Sequence, residues 1–129
     1  MSAKPRNVFV DTNILLRATI QQFPDHKVVQ EFIAEFVNDD TALWISRQVI
    51  REYLVQVMRP QSFMRPLSPQ QAIEQVHKMQ QAFRIADETH ATTQALLMLI
   101  QNYAVGGKQI HDANIVATML TNEIDTLST

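Results

Sequence analysis

Short apolar segments alternate with longer amphipathic ones along this 129-residue chain, and this alternation restricts the fold more than any other feature. Apolar residues recur at helical spacing in the longer segments, whereas the short ones have the character of buried strands. Such alternation is typical of βα units around a parallel sheet. We therefore predict a single α/β domain over residues 1–129, which is long enough for a core of its own. Strands are predicted at 8–10, 42–45, 83–86 and 124–129, and helices at about 12–21, 28–37, 47–59, 69–79, 89–103 and 112–121.

Composition excludes several kinds of protein. The chain has no cysteine, so it can form neither disulfides nor a thiolate metal site. No apolar stretch is as long as a membrane span and residues 1–7 lack the apolar core of a signal peptide, so we expect a soluble cytoplasmic protein without a membrane. The net charge of −2 gives no general reason to expect nucleic acid. Residues 41–73 nevertheless carry four arginines against one acid, which indicates either a solvated helix face or a phosphate-binding patch.

Three acids fall where the predicted topology can bring them together. Asp11 follows the first strand directly, Glu52 lies on the helix after the second strand, and Asp112 opens the helix before the last strand. Ligands of parallel sheets bind outside the carboxyl ends of the strands, where Asp11 is predicted to lie. Glu52 lies on the flank of its helix's apolar stripe, so it faces either a crevice or solvent.

Asp11 and Asp112 each have a second, plainer interpretation. An aspartate at the start of a helix is a good N-cap, and both residues stand at such a position. Asp112 also shares a helical face with Ile115, Val116 and Met119. A carboxylate on an apolar face needs a partner or a metal, because its desolvation alone is unfavourable. The two interpretations are compatible, since a first-turn aspartate can face inward and still accept a backbone N–H.

A bound metal ion would offset the charge repulsion among the three acids. Three converging carboxylates cannot all stay ionised without a cation. Mg²⁺ or Mn²⁺ suits a site made of oxygen ligands that keeps several waters. The sequence has no zinc spacing among its histidines, no phosphate loop and no serine or cysteine nucleophile signature, and His111, beside Asp112, is the one histidine of interest.

Three stretches of the sequence resemble PIN domains, most closely the VapC-like toxin ribonucleases of bacterial toxin–antitoxin pairs. They are VFVDTNILL from residue 8, REYL from residue 51, and GKQIHDANIVATML with IDTLST toward residue 129. The resemblance implies a PIN-like α/β/α sandwich with a central parallel sheet of about four strands. It also implies an endoribonuclease that uses Mg²⁺ or Mn²⁺, cleaves RNA, pairs with an antitoxin protein and forms a homodimer.

The resemblance assigns roles to individual residues. Asp11, Glu52 and Asp112 correspond to the catalytic, metal-binding acids, and Thr12, Asn13 and Thr129 to supporting polar residues. The metal would activate a water and offset charge on the phosphate, so that no side-chain nucleophile is required. Arg47 and Arg51 are then predicted to contact RNA phosphates beside the one that is cleaved.

The end of the sequence departs from the family pattern. Family members usually continue into an N-x-x-D-F-like stretch that supplies a fourth acid and a last edge strand, whereas this sequence stops at Thr129. Asp125 comes too early to replace that acid. Three alternatives follow: a truncated chain, an enzyme with three acids, or a catalytically weak or inactive RNA- or protein-binding module. A phosphatase with Asp11 as nucleophile is a further rival, but it requires an aspartate where this chain has Asn13.

Overall fold

A computed structural model describes residues 6–61 and 64–129, and residues 1–5 and 62–63 of the predicted domain lie outside the described residues. Strands and helices alternate as predicted, with boundaries shifted by a few residues. In order they are β1 Asn7–Val10, α1 Thr12–Thr19, α2 His26–Asn38, β2 Ala42–Ser46, α3 Arg47–Met58, α4 Pro69–Ala82, β3 Arg84–Ala86, α5 His90–Asn102, α6 Ile110–Thr121 and β4 Thr126–Ser128, with a 3₁₀ turn at Gly107–Gln109 before α6.

The four strands form one parallel sheet in the order β3-β2-β1-β4. After β1 the chain adds β2 and then β3 on one side of β1, and it then crosses back to add β4 on the other side of β1. Because crossovers between parallel strands are right-handed, this reversal puts α1–α4 on one face and α5 and α6 on the other. The predicted α/β sandwich with a parallel sheet is confirmed. The reversal also leaves a crevice at the carboxyl end of β1, the usual position for a ligand.

The core surrounds β1, the strand from which Asp11 emerges. Val8, Phe9 and Val10 are almost completely buried, as expected for a central strand covered on both faces. Leu15 of α1 and Tyr53 of α3 are equally buried and belong to the same apolar cluster. Asp11 and the helices that follow β1 and β2 therefore stand on a deeply buried part of the molecule.

Side-chain caps fix where the helices at this crevice begin. The Asp11 carboxylate accepts a hydrogen bond from the Thr12 N–H at 2.8 Å, so the N-cap interpretation of Asp11 is confirmed. Ser46 caps α3 by accepting from the Val49 N–H at 3.2 Å. Such caps satisfy N–H groups that have no partner inside the helix.

The helices that lead into β2 and β4 end in the same way. Thr41 N–H donates to Phe36 O at the end of α2, and Ile124 N–H donates to Met119 O at the end of α6, each at 2.9 Å. This is the Schellman pattern, which places the residue after the C-cap in the left-handed region. Asp40 and Glu123 occupy those positions, with φ of 56° and 58°. Glycine is the usual residue there, because a Cβ is crowded in this conformation.

Replacing Glu123 with glycine should raise the free energy of unfolding by about 0.5–1 kcal/mol, because the crowding of its Cβ is relieved while part of the gain is lost to the more flexible unfolded chain. Urea unfolding with a constant m-value measures the change. Asp40→Gly is the matched control and should gain less, since aspartate tolerates this region better than glutamate. A loss of stability in Glu123→Gly would contradict the expectation.

Helix α5 is largely exposed although its sequence is apolar. Its sequence is strongly apolar, yet among its residues only Thr92 is buried, and Leu97 and Met98 are more than half exposed. The helix packs chiefly on α6, and no charged residue lies anywhere in 89–107. Within the described ranges no helix is long and apolar enough to cross a membrane.

The only tryptophan of the chain joins three strands. Trp44 lies in β2, half-buried, and its indole N–H donates to Asn7 Oδ1 of β1 at 3.0 Å. The guanidinium of Arg84, in β3, lies 5.7 Å from the centre of its ring, within cation–π range. One side chain thus bridges the middle of the sheet.

Candidate active site

The three predicted acids line one cavity at the carboxyl edge of the sheet. Asp11 follows β1, Glu52 projects from α3, and Asp112 lies in the first turn of α6. The cavity has a volume of about 430 Å³, and its lining residues are Asp11, Thr12, Asn13, Leu16, Arg51, Glu52, Val55, Gln56 and Asp112. A larger depression of about 710 Å³ lies elsewhere, but none of its lining residues is an acid, so it does not compete as a candidate for this chemistry.

Asp11 is half-buried and its carboxyl has a raised pKa. Burial is the largest cause, because it disfavours the charged form. The hydrogen bond from the Thr12 N–H opposes the rise in pKa, whereas the negative charges of Glu52 and Asp112 add to it. Asp11 therefore lies close enough to both other acids for their charges to act on it.

Glu52 is held by hydrogen bonds on both of its carboxylate oxygens. Thr12 Oγ1 donates to Oε1 at 3.1 Å, and Gln48 Nε2 donates to Oε2 at 3.4 Å. The side chain is half-buried and faces the crevice, which settles the alternative that the sequence left open between crevice and solvent. Thr12 thereby links the first acid, through its N–H, with the second, through its hydroxyl.

Asp112 lines the cavity from the first turn of α6, whereas its sequence position suggested an N-cap. Helix α6 begins at Ile110, two residues earlier than predicted, so Asp112 belongs to its first turn and is not the N-cap. Of the residues predicted to share its face, Ile115 and Met119 are buried and Val116 is exposed, and Asp112 itself is exposed. A first-turn acid is stabilised there by the helix dipole and by nearby free N–H groups.

The donors around the cavity fit a hydrated divalent ion. All the candidate ligands are oxygens, and the repulsion that raises the pKa of Asp11 is the kind that a cation relieves. Among the residues that the structure describes, no group of three His, Asp or Glu side chains closes around a single point. Mg²⁺ is commonly held by one or two carboxylates and several waters, so this open arrangement suits it.

The two predicted arginines lie in different surroundings. Arg51 lines the acid cavity beside Glu52. One helical turn earlier, Arg47 forms an ion pair with Asp87 at 2.8 Å in which both side chains are more than half exposed. The structure thus brings one of the two arginines to the acids.

The three predicted supporting residues do not all line the acid cavity. Thr12 and Asn13 line the acid cavity, whereas Thr129 is exposed and is not among its lining residues. Thr129 follows Ser128, whose carbonyl accepts a hydrogen bond from the Asp11 N–H at 3.0 Å, so it lies at the same edge of the sheet. His111 lines a neighbouring cavity of about 360 Å³ that shares Arg51 and Glu52 with the first.

Two residues beside the acids were missed by the sequence analysis. Gln48 is one turn before Glu52, and Asn114 is two residues after Asp112. Asn114 Nδ2 donates to Gln48 Oε1 at 2.8 Å, which connects α3 with α6. A polar side chain four residues before Glu52, on the same face of the helix, was the signal that could have identified Gln48.

Comparison with known proteins supports this fold. A family model described as PIN domain matches residues 8–129. VapC20 of Mycobacterium tuberculosis, a toxin that cleaves the sarcin–ricin loop, is 16% identical with a TM-score of 0.67, over 93% of this chain and 86% of that one. VapBC2 of Rickettsia felis, bound to a DNA fragment from its promoter, is 17% identical with a TM-score of 0.65, over 95% and 86%.

A toxin–antitoxin complex from Klebsiella pneumoniae is similar to the same degree. It is 16% identical with a TM-score of 0.66, over 94% of this chain and 84% of that one. No curated protein sequence gives a significant match. At such identities the similarity concerns the fold, and the chemistry has to be argued from the site.

Proposed function

The chain belongs to the PIN domain family, and on this basis we propose that it is an endoribonuclease that requires Mg²⁺ or Mn²⁺ and acts as the toxin of a toxin–antitoxin pair. The observation that carries the proposal is the meeting of Asp11, Glu52 and Asp112 in one cavity, with Arg51 beside them. These acids come from three separate elements, and PIN-family nucleases require such a cluster.

The chain's own residues would hold the ion and the RNA. Asp11 and Asp112 would bind the ion directly, and Glu52 either directly or through a water that Thr12 and Asn13 help to orient. The bound ion would supply Lewis acidity, which lowers the pKa of a water and offsets negative charge on the phosphate. Thr12 and Gln48 hold the Glu52 carboxylate from both sides, so this acid needs little reorganisation when substrate binds. We place Thr129 as a supporting residue at the same edge.

Cleavage of a mixed preparation of tRNA and ribosomal RNA tests the proposal. The purified protein should produce fragments with a 5′-phosphate and a 3′-hydroxyl in Mg²⁺ or Mn²⁺ and none in EDTA. Binding of RNA without cleavage under either metal, by a folded protein, would favour the binding-module alternative. An aspartyl-phosphate on Asp11 would instead indicate the phosphatase.

Arg51 is proposed to contact an RNA phosphate beside the one that is cleaved. In Arg51→Ala the plot of log affinity against log salt should become shallower by about 0.7, which corresponds to one phosphate contact on a single strand. Filter binding in EDTA, which prevents cleavage, gives the slopes. Arg47→Ala is the matched control and should change the slope less, because Asp87 competes for Arg47. A wild-type affinity that is flat between low and moderate salt would contradict an RNA contact by either arginine.

The proposal includes two protein partners, an antitoxin and a second copy of the chain. The apolar surface of α5 supports such contacts, since Leu97, Met98 and Tyr103 are 53–67% exposed on a segment without charge. Contiguous exposed apolar residues commonly mark interaction sites. Light scattering of the purified chain with and without detergent tests whether it is a dimer.

A further inference from the structure

Gln48 is a buried amide in a position where an apolar side chain would be expected. It lies in the first turn of α3 and is 4% exposed, next to the apolar core. A side-chain amide carries two N–H donors and an acceptor oxygen, and burial without partners is unfavourable. In the described part of the chain no buried side-chain polar atom lacks a hydrogen bond, so the contacts of Gln48 are complete.

The three hydrogen bonds of Gln48 contact Glu52 and the part of α6 that carries Asp112. Gln48 Nε2 donates to Glu52 Oε2 at 3.4 Å and to the backbone oxygen of His111 at 3.0 Å. Its oxygen accepts from Asn114 Nδ2 at 2.8 Å. His111 is the residue immediately before Asp112, so the same amide holds the second acid directly and the backbone that carries the third.

This connection is not enforced by the sheet. Helix α3 follows β2 and helix α6 precedes β4, and these strands lie on opposite sides of β1. The partners of Gln48 on α6 are 63 and 66 residues away along the chain. Asn114 is anchored in turn by Glu88, whose Oε1 accepts from its Nδ2 at 2.7 Å.

The hydrogen bonds form a continuous path through all three acid-bearing elements. Thr12, next to Asp11, donates to one oxygen of Glu52, and Gln48 donates to the other. From Gln48 the path continues to α6 beside Asp112. A shift of α6 relative to α3 would break it.

We propose that Gln48 is a positioning residue that fixes the separation of Glu52 and Asp112 by tying α3 to the first turn of α6, with Asn114 as its partner. This inference rests on the proposed function, in which those acids serve a divalent ion. Partners of this kind orient metal ligands, and their loss commonly weakens metal affinity or activity about 10–100-fold.

Direct binding of Mn²⁺ by the full chain, followed by electron paramagnetic resonance of the free ion, tests the proposal. In Gln48→Met, which keeps the length of the side chain but none of the hydrogen bonds, the Kd for Mn²⁺ should rise about 10–100-fold. RNA cleavage should show a lower kcat with KM nearly unchanged. Asn114→Ala removes one of the three hydrogen bonds of Gln48, together with the bond to Glu88, and should give a smaller rise, which keeps the test usable if Gln48→Met does not fold.

Thr92→Val is the matched control. Thr92 is 1% exposed and its hydroxyl shares a hydrogen bond with Thr121 at 3.0 Å, so this variant also breaks a part-buried contact to α6, together with the bond from the Thr89 N–H. That contact does not reach the acids. Thr92→Val should therefore lose thermal stability but keep the wild-type Kd for Mn²⁺.

The outcomes separate the two proposals. The positioning role would be overturned if Gln48→Met and Asn114→Ala bound Mn²⁺ with wild-type affinity. It would also be overturned if Thr92→Val lost as much Mn²⁺ affinity as Gln48→Met. A wild-type protein that binds Mn²⁺ without cutting RNA, and binds it less tightly in Gln48→Met, would overturn the nuclease and support the positioning role. A wild-type protein that binds no Mn²⁺ would overturn both.

Discussion

Replacing Asp11 with asparagine should abolish RNA cleavage and, at the same time, make the protein more stable at neutral pH. In its proposed role Asp11 holds the ion that offsets charge in the transition state, a contribution of several kcal/mol. We therefore expect the rate to fall about 10³-fold. Single-turnover cleavage in Mg²⁺ measures this loss. Asparagine caps a helix as well as aspartate does, so α1 should begin unchanged.

The gain in stability follows from the sign of the pKa shift. The folded-state pKa of Asp11 is raised above its usual 3.8, mainly by burial, so the folded protein binds this proton more tightly than the unfolded chain. Stability from this group is present below pH 3.8 and is lost as the pH rises through the raised pKa. At pH 7 in EDTA, Asp11→Asn should therefore melt about 2–4 °C higher than the wild type.

Two further measurements separate this explanation from a general effect of the substitution. The difference in Tm should shrink as the pH falls through the raised pKa of Asp11 and vanish below 3.8, because the wild-type carboxyl is then protonated in both the folded and the unfolded state. Added Mg²⁺ should stabilise the wild type and leave Asp11→Asn unchanged, since a ligand that binds only the folded state raises Tm. An asparagine variant that melts lower than the wild type at pH 7 would contradict a raised folded-state pKa of Asp11.

Replacing Asp112 with asparagine should lower the cleavage rate about 10²-fold or more, with little change in Tm. Loss of a direct ligand should cost at least as much as loss of an outer partner, which sets the lower bound. The stability effect is small because the loss of a favourable first-turn charge is offset by relief of repulsion with Asp11. Single-turnover cleavage and thermal melting measure the two effects.

Asp125→Asn is the matched control for Asp112→Asn. Asp125 is exposed, just before β4, and its carboxylate accepts a hydrogen bond only from Thr126 Oγ1, at 3.0 Å, among the described contacts. Its loss should change the rate by no more than about twofold, as for an ordinary surface site. Loss of activity in Asp125→Asn with full activity in Asp112→Asn would show that the third acid is misassigned.

The parts of the fold that depend on local patterns could be predicted from the sequence. The strands are short apolar runs, and the N-cap Asp11 and the Ser68–Gln71 capping box depend on neighbours within a few residues. Helix α6 was misplaced at its start because the 3₁₀ turn at Gly107–Gln109 leads into it without a side-chain cap. That error put Asp112 at the N-cap instead of in the first turn.

Contacts between residues that are far apart in the sequence could not be predicted, even where they separate two residues of the same type on one helix. Arg47 and Arg51 are one turn apart on the same helix, and only the position of Asp87, 40 residues away from Arg47, separates their surroundings. The role of Gln48 likewise depends on partners on α6, which no periodicity reveals. The exposure of α5 could not be read from its apolar sequence either, because it depends on how many elements cover the helix, a property of the whole fold.

The position of Trp44 makes the intrinsic fluorescence of the protein a gauge of the sheet alone. Its ring contacts β1 through Asn7 and β3 through Arg84, so its emission should shift when the strands separate. With no second tryptophan, emission excited beyond the absorption of the two tyrosines comes from Trp44 alone, and the native chain needs no label. A variant that loses cleavage but keeps this emission spectrum has lost chemistry, whereas one whose emission shifts has lost the scaffold.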